Sequence, residues 1–82
     1  MRIKKPYLVI TFSATAHATK MEHSSKLNNI PGRIIPIPAK LSAGCGLAWQ
    51  AEPSDESYII DFMSKNQIPY EAVSIVDFWT TA

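Results

Sequence analysis

The run Arg33–Pro38, RIIPIP, restricts the fold of this chain more than any other segment. It is as apolar as a sheet strand, yet Pro36 and Pro38 each lack the amide that would donate to a neighbouring strand. A central position in a sheet is therefore closed to it. The prolines are two residues apart, so their missing donors point to the same lateral side. With that side turned to solvent the segment is an edge strand.

The other elements follow from their local patterns. YLVITF (Tyr7–Phe12) is rich in β-branched and aromatic residues and reads as a strand. Ser13 or Thr15 then caps a helix running to about Leu27, with Ala14, Ala18, Met21 and Ser25 on its inner face. NNIPG (Asn28–Gly32) breaks that helix. GLAWQA (Gly46–Ala51) reads as a third strand. PSDES (Pro53–Ser57) starts a second helix, because proline suits a first turn and Asp55 and Glu56 suit the positive end of the dipole. Ile59, Phe62 and Met63 form its buried stripe, and Asn66 with Ile68-Pro69 ends it. YEAVSIVDFW (Tyr70–Trp79) supplies the last strand.

The order β-α-β-β-α-β predicts an α+β, ferredoxin-like sandwich. Its four-stranded antiparallel sheet has the order 4-1-3-2, with both helices on one face. That order leaves the second strand at an edge, where the prolines need it. At 82 residues the chain reads as one domain, 1–82, with residues 1–6 a frayed N-terminus.

Composition removes several function classes. The formal net charge is +1, which gives no electrostatic footprint for nucleic acid. No apolar run approaches the ~20 residues needed to span a bilayer, and the start lacks the features of a signal peptide. One cysteine forms no internal disulfide, so a cytoplasmic location is expected.

That cysteine is the chemical centre of the sequence. Cys45 lies in SAGCG (Ser42–Gly46), between Gly44 and Gly46, where the backbone turns. The topology places Lys40–Gly46 beside the first turn of the leading helix, near Ser13–His17. That is the positive end of a helix dipole, with amides to spare. A free thiol titrates near ~8.5, so lowering it to ~7 takes about 2 kcal/mol. An exposed helix terminus supplies roughly 0.3–1 kcal/mol. Loop amides, Lys40 or His17 would have to add the rest. The plainer account is a small residue in a glycine turn. His17 reads more simply as a surface histidine, and Ser42 as local turn chemistry. His17 and His23 are six positions apart and do not share a helix face, so no metal site is expected.

GRIIPIPAKLSAGCGLAW (Gly32–Trp49), preceded by TFSATAHATKME (Thr11–Glu22), resembles the selenium/sulfur carrier-like family of small bacterial proteins, otherwise catalogued as a domain of unknown function. The similarity covers roughly Tyr7 to Tyr70 and is strongest through IPIP and SAGCG. It implies a carrier whose Cys45 accepts sulfur or selenium as a persulfide or selenopersulfide. It points to a cysteine desulfurase-type donor and an acceptor protein, and no cofactor is expected. Members of the family often have a Ser-Thr pair at the head of the first helix, where this chain has Ala14-Thr15. They often have glycine before the Ile-Pro turn, where this chain has Asn29, a residue that tolerates the left-handed conformation.

A carrier or accessory protein is thus expected rather than a true enzyme. Gly44, Gly46, Ser42, Lys40, Thr15 and His17 are its supporting residues. The alternative is a non-catalytic interaction module with Cys45 incidental, and a third reading is a redox-sensing thiol. Alternation sets Tyr7, Val9 and Thr11 opposite Leu8, Ile10 and Phe12, neither set is strongly polar, and the sheet face away from the helices is expected to be open to solvent. It therefore predicts a homodimer or a protein partner.

Overall fold

The computed structural model describes residues 1–41 and 45–81. The elements in chain order are β1 (Arg2–Thr11), α1 (Thr15–Asn28), β2 (Arg33–Pro36), β3 (Leu47–Ala51), a 3-10 turn (Pro53–Asp55), α2 (Glu56–Lys65) and β4 (Ala72–Thr81). The strands form one antiparallel sheet ordered β2-β3-β1-β4. Read from the other edge this is the expected 4-1-3-2.

β2 is an edge strand, as its prolines require. The Ile37 amide donates to the Gly46 carbonyl at 3.0 Å, so odd-numbered residues here turn their amides toward β3. Pro36 and Pro38 therefore face outward, where no donor is needed. The strand itself stops at Pro36, two residues short of the expected end.

The core is built from one face of the sheet. Leu8, Ile10 and Phe12 alternate along the β1 segment and meet Trp49 and Ala51 of β3. Ala18 and Met21 of α1 and Ile59 and Met63 of α2 close over the same cluster. Each large side chain fully buried here contributes ~1.5–3 kcal/mol. Phe62, expected in the α2 stripe, is only half-buried against this cluster. Ser25 is buried without penalty because its hydroxyl donates to the Glu22 carbonyl at 2.9 Å.

Several sequence expectations need correction. Residues 2–6 are not a frayed end: β1 begins at Arg2, and Arg2–Tyr7 pair with Val76–Thr81. β3 pairs with β1 only from Leu8 to Thr11, so this stretch is a two-stranded ribbon reaching past the body of the sheet. The basic start looks like a solvated terminus in sequence. In the fold, Arg2 and Lys4 lie over the Trp79 ring, 5.4 and 5.3 Å from its centroid. The face opposite the helices is also less open than expected, because Val9, Thr11 and Ala48 are buried. They are short side chains in the middle of the sheet, flanked by strands on both sides. β4 starts at Ala72 rather than Tyr70 and runs on to Thr81.

Both helices stop in the same way. Asn29 (φ 54°) and Gln67 (φ 55°) adopt the left-handed conformation. Each is followed by a buried isoleucine, and then by a proline. Ile30 donates to the Ser25 carbonyl at 3.0 Å and Ile68 to the Met63 carbonyl at 2.9 Å. This is the Schellman arrangement, in which the residue after the turn satisfies a late helical carbonyl and adds its side chain to the core.

Candidate functional site

Cys45 stands in the turn that enters β3. Its side chain is half-buried and packs against the edge of the core. The Leu47 amide donates to Sγ at 3.3 Å, and the thiol donates to the Leu47 carbonyl at 3.5 Å. These two contacts with one residue set the direction of the sulfur. Gly46 beside it is exposed, with φ +72°, and among the described residues other than its chain neighbours nothing lies within 4 Å of where its Cβ would be. A left-handed residue at this point favours glycine. The base of the loop is closed by the Ile37 to Gly46 hydrogen bond, and Leu41 donates to the Pro38 carbonyl at 2.9 Å.

The register fixes where this turn lies. Thr11 of β1 faces Ala48 of β3, so β1 ends where β3 begins. The chain leaves β1 through Phe12 and enters α1 at Thr15. Cys45 and the first turn of α1 therefore occupy the same end of the sheet. The helix start differs from the expected one. The cap position is Ala14 rather than Ser13 or Thr15, with extended backbone and no side-chain hydrogen bond. Its carbonyl accepts from His17 at 3.1 Å and from Ala18 at 3.4 Å. An alanine cannot supply the side-chain oxygen that usually caps a helix.

The supporting residues are distributed unevenly. Thr15 and Lys40 are exposed, and neither hydrogen-bonds to Cys45. His17 is half-buried in the first turn of α1, and among the described residues its Nδ1 is buried without a partner. Sγ bonds only to Leu47 among the described residues, so no Cys45–His17 hydrogen bond forms. Ser42 and Gly44 lie outside the described residues. No three His, Cys, Asp or Glu side chains among the described residues gather as a metal site.

Sequence reasoning did not single out a shallow groove beside the last turns of α1. It has a volume of about 430 Å³ and lies between the end of α1 and β2. Lys26, Arg33 and Glu22 rim it, with Ile30, Ile34 and Trp49 at its base. Its only sequence signal is the helix break at Asn29–Gly32, which says that a turn exists there and not what lines it.

A four-stranded α+β fold that presents a single thiol at a glycine turn defines a one-cysteine class of protein. Such a chain can form one bond to sulfur or selenium at a time and cannot close a disulfide with itself. The family model described as "Putative Se/S carrier protein-like" matches residues 7–74 of the 82, and the chain belongs to that family. No curated protein and no solved structure matches the chain.

Proposed function

We propose that this protein carries sulfur or selenium covalently on Cys45. The reading rests on one observation: in a chain of this family, the only cysteine is half-exposed in a turn beside a left-handed glycine. In the transfer step the Cys45 thiolate attacks the terminal sulfur of a donor protein's persulfide. The new S–S bond forms as the donor's own S–S bond breaks, and the donor leaves as its thiolate. The sulfane sulfur keeps its oxidation state throughout, so no external oxidant or reductant is required. A selenopersulfide donor delivers selenium by the same exchange. Release to an acceptor repeats the step in reverse roles.

The donor would be a desulfurase-type enzyme and the acceptor a second protein, both in the cytoplasm. Lys40, Thr15 and His17 would favour the bound anion from the α1 end of the sheet. The β-α-β-β-α-β order and the β2-β3-β1-β4 sheet support a ferredoxin-like classification.

The test is intact mass under non-reducing conditions after incubation with a cysteine desulfurase and cysteine, or with a selenium donor. The expected result is a gain of one sulfur or selenium atom, reversed by a thiol reductant and absent in Cys45→Ser. Wild-type protein that gains neither atom from either donor overturns the proposal.

A further inference from the structure

We propose that β4 pairs with β4 of a second copy of this chain, antiparallel across a two-fold axis perpendicular to the sheet and passing near Ile75. The two edges of the sheet are unlike. β2 shows solvent a four-residue edge with two outward prolines, which resists strand addition. β4 shows ten residues, AVSIVDFWTT, with no proline, glycine, lysine or arginine and one charge, Asp77. Its outer side carries no strand among the described residues. Ile75 and Trp79, 53% and 58% exposed, stand four residues apart on one face of it. A long, apolar, unprotected edge of this kind is a template for another strand.

The charges select the second copy and the register. A two-fold at Ile75 sets Ile75 against itself and puts Trp79 opposite the partner's Glu71. Trp79 already holds Arg2 and Lys4 against its ring, so the partner's Glu71 arrives among two cations. Symmetry makes the same contact twice. Centring on Asp77 would face two carboxylates across the pair, which is unfavourable. Centring on Val76 would send Glu71 to Thr81, away from the cations. The Ile75 register alone satisfies both conditions, and it needs no strand other than β4 itself.

Sedimentation equilibrium of the full chain tests the pairing. The wild type is expected at twice the chain mass, and Ile75→Lys at the chain mass with an unchanged far-ultraviolet circular dichroism spectrum. In a Cys45→Ser background, Ile75→Cys should cross-link rapidly to its own copy under mild oxidation, because that residue lies on the axis. Asp77→Cys should cross-link slowly. A monomeric wild type across the accessible concentration range overturns the proposal. So does a dimer that persists in Ile75→Lys, or one in which Asp77→Cys cross-links faster than Ile75→Cys. Since none of these readouts involves sulfur loading, the pairing and the carrier activity fail independently.

Discussion

Gly32 holds φ at +113°, and a Cβ built there would overlap the Trp49 Nε1 atom and stand 2.6 Å from the Gln50 carbonyl oxygen. The indole needs that closeness, because Nε1–H donates to the Pro31 carbonyl at 3.1 Å while the ring, 2% exposed, fills the core. Gly46 is also left-handed, but among the described residues beyond its chain neighbours nothing lies within 4 Å of its Cβ position. The two positions therefore separate backbone strain from packing. Gly32→Ala is expected to cost ~2–4 kcal/mol, combining both effects. Gly46→Ala should cost ~1–2 kcal/mol from the backbone alone. Urea unfolding of the two variants checks this, and equal losses would rule out the steric account of Gly32. In the sequence the two glycines look alike. Trp49 lies beneath Gly32 through a contact between distant positions, and no local pattern encodes it. Cys45 is legible for a simpler reason: it is the only thiol, and its neighbours are glycines. The helix cap is not, because Ser13 and Thr15 both have the right side chain, whereas the backbone turns at Ala14 between them.

Among the elements, the edge position of β2 is legible in the amino-acid sequence, since a missing amide has a direction and the prolines share it. The ribbon of β1 and β4 is not. Residues 2–6 form a strand only because Val76–Thr81 arrive beside them, and pairing partners that distant leave no periodic trace. One ion pair ties this ribbon to the body of the fold. Lys5 Nζ lies 3.0 Å from Glu52 Oε1, just past the end of β3. The hydrogen bond to Glu52 raises the Lys5 pKa above its ordinary value, helped by the Glu52 charge and more weakly by Tyr7, against a small opposing effect of desolvation. A raised lysine pKa contributes stability below the unfolded value of about 10.4, and that contribution is lost as pH climbs through the folded value. Wild type should thus be slightly more stable than Glu52→Gln near neutral pH. The gap should close in strongly alkaline solution, and added salt should narrow it because both groups are well exposed. Urea midpoints of the two proteins across that pH range provide the check.

The molecule as a whole is elongated, 39 × 25 × 18 Å, because the β1–β4 pair runs on after β3 has stopped. Stability should vary along that length. Leu8–Thr11 have a strand on each side and the core beneath, whereas Arg2–Tyr7 have a single neighbour. Two-stranded ribbons are marginal in water and open at low free energy. Amide hydrogen exchange should therefore be slowest at Leu8–Thr11 and clearly faster at Arg2–Tyr7. Uniform protection along β1 would mean that the ribbon opens only with global unfolding.

The proline edge has one more consequence. When two copies join through β4, each has spent its receptive border. The Arg2–Tyr7 stretch of β1 that stays open beyond β3 carries Lys4, Lys5 and Pro6, which discourage strand addition. The remaining outer borders of the joined sheet belong to β2. Those borders present Pro36 and Pro38, with no amide at either position for an incoming strand to grip. Growth stops after a single event, giving a closed pair and not a filament. Two imino rings at one margin of an 82-residue chain thus act as a terminator for assembly.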